Sequence, residues 1–134
     1  MTKLEEIKEI LNQKNASLVV AYQDGTIKEY YNNRIIDLVS ILKEDKDALK
    51  ESIIADKVIG KVAASVMAVA GVKEIYTNTL SKFAIPVLEN ANIKYSYRVL
   101  VDYIKNNDQT GMCPMENKYK KEMNMIKIYE DMVQ

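Results

Sequence analysis

The chain has 134 residues and a mass of 15.3 kDa, the usual size of one domain, so we expect residues 1–134 to form a single domain. Hydrophobic residues make up 48% and charged residues 28%, with 19 basic against 19 acidic side chains, a composition typical of a globular protein. Zero net charge argues against nucleic acid as a partner. Apolar runs such as residues 63–72 are too short to span a membrane, so we expect no membrane association.

The absence of histidine and the single cysteine exclude several classes of enzyme. A zinc site usually needs three or four imidazole or thiolate ligands, and triad hydrolases need a histidine base. We therefore predict neither a metal nor a cofactor. An intrachain disulfide is impossible, and residues 1–6 lack the apolar core of a signal peptide, which leads us to expect a cytoplasmic protein.

The first half of the chain reads as a helix, a hairpin and a second helix. Leu4, Ile7, Ile10 and Leu11 recur at helical spacing, and the helix should stop near residues 12–15. Residues 17–22 and 26–31 are predicted strands, joined at Asp24-Gly25 by a two-residue turn. A helix capped by Asn33 and an exposed connector over residues 43–51 follow, and the helix carries Ile35, Ile36, Leu38, Val39 and Leu42.

The second half alternates strands and helices. Residues 52–55 are a predicted buried strand that ends at Asp56, which should cap a helix over residues 57–70 closed by Gly71. Strands are expected over residues 73–77 and 93–99. The helix between them, residues 81–90, begins either at Ser81 or later, with Pro86 in its first turn.

The C-terminal third is predicted to be mostly helical. Residues 101–105 read as a short helical piece and 106–112 as a polar loop. A long terminal helix should start at Pro114 and bury the side chains of Tyr119, Met123, Ile126 and Met132.

A hairpin followed by alternating strands and helices predicts an α/β fold, with one mixed sheet, parallel later strands and helices on both faces. Ligands of such sheets bind beyond the carboxyl ends of the strands, near helix N-termini. Two segments of the chain should lie there.

The first segment is residues 55–64. On the predicted helix, Lys57 and Lys61 share one face close to the positive N-terminus, an arrangement that favours a bound anion beside Asp56. Gly60 would let a ligand approach closely. In the alternative interpretation, Asp56 only caps the helix, the lysines are solvated and the small residues allow close packing.

The second segment is residues 107–116. Pro114 at the first helical position makes Cys113 the N-cap, where the helix terminus favours the thiolate. Asp108, Thr110 and Gly111 precede it. The alternatives are that a lone cysteine is simply a small buried residue, and that the polar residues only form a turn with Gly111 at positive φ.

Three stretches together resemble the family called domain of unknown function 1893: residues 56–64 (DKVIGKVAA), 70–76 (AGVKEIY) and 110–116 (TGMCPME). The resemblance covers roughly residues 15–120. It implies a three-layer α/β/α fold similar to cytidine deaminase. Zinc deaminases hold their metal with a His/Cys-Ala-Glu triplet and a Pro-Cys-x-x-Cys motif, each at a helix start. This chain has DKV and, near the second position, TLSK, so the resemblance does not imply a zinc-dependent deaminase.

Three functional hypotheses remain open. In the first, a zinc-independent enzyme uses Cys113 as nucleophile, or Lys57 as base or amine oriented by Asp56. In the second, a binding module holds an anionic small molecule or nucleotide. In the third, the chain is an interaction protein that forms a homo-oligomer. The predicted ligand-binding residues are Lys61, Gly60, Asp108, Thr110, Gly111 and Glu116.

Overall fold

The computed structural model of the protein describes residues 1–32 and 35–134. Its strands are β1 (Leu18–Ala21), β2 (Ile27–Tyr30), β3 (Ile53–Ile59), β4 (Glu74–Ser81) and β5 (Lys94–Val101). Its α-helices are α1 (Lys3–Gln13), α2 (Ile36–Glu44), α3 (Lys61–Ala70), α4 (Ile85–Asn90), α5 (Pro114–Tyr119) and α6 (Met125–Val133), and a 3-10 turn, Lys82–Ala84, leads into α4.

The strands form one mixed sheet in the order β2-β1-β3-β4-β5. β1 is antiparallel to β2 and to β3, whereas β3, β4 and β5 run parallel to one another. The α/β class and the parallel later strands are therefore confirmed. The carboxyl ends of β3 and β4 lie at the same end of the sheet.

Alternate residues of the strands face two separate cores. Val19 and Ala55 pack with Ile7 and Leu11 of α1 on one face of the sheet. Their strand neighbours face the larger core, which α2, α3, α4 and α6 cover; it includes Leu18, Val20, Ile54, Ile75, Leu38, Met67, Leu88 and Val133. The period of two along each strand produces this division. Within the described ranges, no helix combines the length and apolarity of a membrane span.

The helix start predicted at Asp56 is wrong. β3 continues through Lys57 to Ile59, and α3 begins at Lys61 after the extended N-cap Gly60. The β-branched pair Val58 and Ile59 continues the parallel ladder with β4, which satisfies backbone groups that a helix would have used. Gly71 closes α3 in the left-handed region at φ 84°, as predicted.

The C-terminal prediction is wrong in two places. Residues 101–105 are not helical: β5 includes Val101, and the chain then forms an irregular loop closed by a bridge between Lys105 and Met112. The terminal helix is two helices, because the side chain of Asn124 accepts hydrogen bonds from the N–H groups of residues 126 and 127 and starts a new helix. Met123 and Ile126 are exposed, contrary to the prediction, although Tyr119 is buried as expected.

Smaller differences concern three other elements. Three residues, 23–25, form the hairpin loop, since the Tyr22 N–H donates to the Thr26 carbonyl. The helix containing Pro86 follows the late-start alternative, with the proline in its first turn. Leu49 is fully buried within the otherwise mostly exposed connector. The predicted cap Asn33 lies outside the described residues.

Candidate functional site

A carboxylate of the protein itself occupies the N-terminus of α3. Glu116, 2% exposed, accepts a hydrogen bond from the Lys61 N–H (2.8 Å) through Oε1 and one from the Ile104 N–H through Oε2. A Cβ added at Gly60 would lie 2.7 Å from Glu116 Oε1. Glycine is needed there because the carboxylate approaches the backbone so closely. The anion expected at this helix start is thus supplied by α5.

The side chain of Lys61 lies beside this contact and is almost as deeply buried, at 8% exposure. Its Nζ donates to the Lys120 carbonyl over 3.0 Å. Among the described residues, no carboxylate forms an ion pair with it. Burial lowers the pKa of Lys61, and the more distant carboxylates of Glu122 and Glu116 oppose this shift. The ammonium therefore has a carbonyl oxygen as hydrogen-bond partner, and the carboxylates that stabilise its charge act without ion-pair contact.

Lys61 forms part of a cleft of about 430 Å³ beyond the carboxyl ends of β3 and β4, which we call the lysine cleft. Its walls come from α3, from the 3-10 turn and α4, and from the α5–α6 connection with the first residue of α6. Four lysines and one glutamate carry its charge: Lys61, Lys82, Lys120, Lys121 and Glu122. The remaining lining residues are Ser65, Phe83, Pro86, Val87, Asn90, Met123 and Met125.

A larger and more open cleft of about 620 Å³ lies at the β1–β2 hairpin. Its charged lining residues are Asp24, Lys28, Asp45 and Asp47, so acidic side chains outnumber basic ones. Burial raises the pKa of Tyr22 in its wall, as does a hydrogen bond with Tyr30. This cleft lies away from the strand ends where α/β folds bind ligands.

The comparisons with known proteins identify the family. A family model described as TM1506, domain of unknown function (DUF1893), matches residues 6–133. The chain belongs to the DUF1893 family. This DUF1893 protein resembles the crystal structure of a DUF1893 family protein, TM1506, from Thermotoga maritima, with a TM-score of 0.85 and 25% sequence identity over 98% of this chain and 89% of that one. None of the curated proteins compared with it matches.

Asp56 of this DUF1893 protein lies inside the sheet and not at a helix start. It pairs with Leu18 of β1 and Thr77 of β4, and it is 8% exposed. Burial raises the pKa of its carboxyl to about 8; the Val58 and Lys57 N–H groups lower it, and the Asp37 carboxylate raises it. At neutral pH the carboxyl is therefore mostly protonated. It does not line the lysine cleft.

Lys57 and Cys113 are likewise not among the residues that line the lysine cleft. Lys57 belongs to β3, its N–H donates to the Ser17 carbonyl, and it shares no helix face with Lys61. Cys113 is the N-cap of α5 as predicted, partly exposed, and its N–H donates to the Ile104 carbonyl over 2.7 Å. A catalytic role for these residues stays a prediction.

Asp108, Thr110 and Gly111 lie in the loop that precedes Cys113. Asn106 organises this loop: its Oδ1 accepts from the Thr110 N–H (3.0 Å), and its own N–H donates to the Gly111 carbonyl (2.9 Å). The positive φ that was expected at Gly111 occurs at Gln109 instead, at 61°. None of the three predicted residues lines the lysine cleft.

The structure thus joins Gly60, Lys61 and Glu116, and it adds cleft residues that the sequence interpretation overlooked. Lys82 could have been found, because it follows β4 directly as Lys61 follows the end of β3. The sequence pattern around Lys120 and Lys121 is typical of a solvated helix face and gives no sign of a site. The structure places both in the cleft, because the helix breaks before α6. Among the described residues, no three His, Cys, Asp or Glu side chains are grouped so as to hold a metal.

Proposed function

We propose that this DUF1893 protein is a binding module that holds an anionic small molecule in the lysine cleft. The observation that carries the proposal is Lys61, a residue only 8% exposed that lines the cleft and whose ammonium has no carboxylate in ion-pair contact among the described residues. A buried cation is costly unless an anion compensates it. A bound anion would supply that compensation.

The charge of the cleft supports the same conclusion. Four lysines and one glutamate line the cleft, and the ion pair of Lys82 with Asp102 is exposed on both sides, which makes it weak. Lysine binds phosphate and carboxylate as a point charge, and a cleft lined by one sign of charge concentrates ligands of the opposite sign.

We further propose that the fold is the three-layer α/β/α sandwich of the cytidine-deaminase-like proteins. A hairpin followed by three parallel strands, with helices against both sheet faces, supports this assignment. The lysine cleft lies where β3 leads into α3 and β4 leads into α4. A chain without histidine and with one cysteine lacks the usual zinc ligands of those enzymes, which favours binding over zinc-assisted hydrolysis.

Isothermal titration calorimetry with inorganic phosphate at constant ionic strength tests the binding proposal. We expect wild type to bind phosphate and Lys61→Met to bind it about tenfold or more weakly, because a hydrogen bond to a charged group contributes about 1.5–3 kcal/mol. Methionine keeps the length of the buried stem. Lys121→Met removes an exposed lysine of the same cleft, so it should weaken binding without endangering the fold.

Lys43→Met is the matched control, since Lys43 is an exposed lysine of α2 that does not line the cleft. It should leave the affinity for phosphate unchanged. The proposal fails if wild type shows no binding, or if Lys43→Met weakens binding as much as the cleft variants do.

A further inference from the structure

We infer that the ligand of the lysine cleft is a phosphate monoester whose organic group is aromatic. This inference rests on the proposed function, because it assigns the class of anion that the cleft binds. It depends on the other half of the lining, which is apolar and which inorganic phosphate would leave unused.

Charged and apolar residues lie together on both sides of the cleft. Lys61, Lys120 and Lys121 belong to α3 and the α5–α6 connection, and a hydrogen bond between the Lys61 ammonium and the Lys120 carbonyl holds these two elements together. Lys82, Phe83 and Pro86 belong to the turn and helix that follow β4, and Met123 lies next to the lysines of the α5–α6 connection. A ligand that fills the cleft meets lysine ammonium groups and apolar side chains, so it needs both an anionic group and an apolar group.

The size of the cleft also requires more than a bare anion. At about 430 Å³ it falls within the range of sites for organic ligands and is several times larger than a phosphate ion. The organic group of a phosphate monoester would occupy the remaining volume.

Met123 provides the observation that favours a flat aromatic group. It lines the cleft together with Phe83, yet it is 94% exposed. A thioether and a phenyl ring both make favourable contacts with an aromatic ring. A planar group in the cleft that contacts both residues would bury apolar surface that the protein alone leaves in water.

Calorimetry with two probes of equal charge tests the inference. We expect phenyl phosphate to bind wild type about tenfold more tightly than glycerol 3-phosphate, because the phenyl ring buries apolar area and makes aromatic contacts that the glycerol group cannot make. Phe83→Ala should weaken phenyl phosphate to the level of glycerol 3-phosphate and leave glycerol 3-phosphate unchanged. Phe83→Leu preserves the apolar volume if the alanine variant does not fold, and it should reduce the difference between the probes.

The outcomes separate the two proposals. If both esters bind with equal affinity, or if phenol binds as well as phenyl phosphate, the inference of an aromatic phosphate ester is overturned. Equal binding of the two esters would still support the anion-binding function. If neither ester nor inorganic phosphate binds, the proposed function fails and the inference fails with it.

Discussion

The carboxyl group of Asp56 lies in the middle of the sheet, where burial raises its pKa from 3.8 to about 8. Between these two values the folded protein keeps a proton that the unfolded chain has already released. The folded state therefore binds more protons than the unfolded state, and its stability must fall as the pH rises through this window.

The first prediction concerns the pH dependence of stability. The free energy of unfolding of wild type should decrease by roughly 1 kcal/mol per pH unit between pH 5 and pH 8 because of this group. Asp56→Asn, which resembles the protonated carboxyl, should lack that contribution, so its advantage over wild type should grow with pH. Urea unfolding of both proteins at pH 5, 6, 7 and 8 measures the difference.

Asp47→Asn is the control, because the pKa of Asp47 is shifted in the opposite direction from that of Asp56. A hydrogen bond from Lys50 and the charge of that lysine lower the pKa of Asp47, so its substitution should alter the pH dependence only in acid. Parallel stability curves for wild type and Asp56→Asn across the window would contradict the assignment of a buried, protonated carboxyl.

Among the elements, the contact between α3 and α5 connects residues that are more than fifty positions apart in the chain. Glu116 accepts hydrogen bonds from Lys61 and Ile104, and Gly60 leaves the space that its carboxylate fills. The sequence analysis predicted a bound anion from Lys57 and Lys61 on one face of a helix that starts after Asp56, and the structure keeps only Lys61 at the helix start. Glu116 could not be predicted as the source of the anion, because nothing in the sequence of residues 107–116 shows which N–H groups will donate hydrogen bonds to its carboxylate.

The second prediction tests this contact by steric exclusion. Gly60→Ala should destabilise the protein by roughly 1–3 kcal/mol, because the new Cβ would lie 2.7 Å from Glu116 Oε1 and 2.9 Å from Ile104 Cγ1. Chemical denaturation measures the loss. Gly111→Ala is the matched control: nothing lies within 4 Å of its added Cβ and its φ is not positive, so the change should stay within about 0.5 kcal/mol. Equal effects of the two substitutions would show that the α3–α5 contact is not tight.

At the scale of the whole molecule, the sheet ends in an exposed strand. β5 lies at the edge of the sheet and has eight residues, and its Tyr97 and Val99 side chains are 42% and 45% exposed. A long edge strand with exposed apolar side chains is prone to pair with other chains. Lys94 and Arg98 are the charged residues on this strand.

The third prediction follows from that edge. Val99→Lys should reduce aggregation during refolding from urea, measured by light scattering, and change stability by less than about 1 kcal/mol. Ile126→Lys makes the same kind of change at a position on α6 that is 56% exposed, and it should leave aggregation unaltered because a helix has no strand edge with which another chain can pair. If both variants reduce aggregation equally, general surface polarity explains the effect and the strand edge does not.

Most elements of the fold could be predicted, because their signals are local. The stripe of Ile7 and Leu11 identifies α1, Asp24-Gly25 marks the hairpin, and Gly71 ends α3. The predictions failed where long-range contacts outweigh local preference. Asp56 is a good helix cap in isolation, but strand pairing on both sides places it inside β3. Met123 continues an apolar periodicity, yet the cap at Asn124 turns the chain before it can be buried.

The amino-acid sequence by itself determined the α/β class and the order of most elements, because the periodicity that predicts them involves residues close together in the chain. Its composition alone excluded histidine-dependent chemistry. Only the tertiary structure decided that Glu116 fills the helix start, that Asp56 is buried with a raised pKa, and that four lysines line one cleft. Those features depend on which distant segments come into contact. The free energy of folding that stabilises these contacts comes from the whole core, so no single stretch of the sequence predicts them.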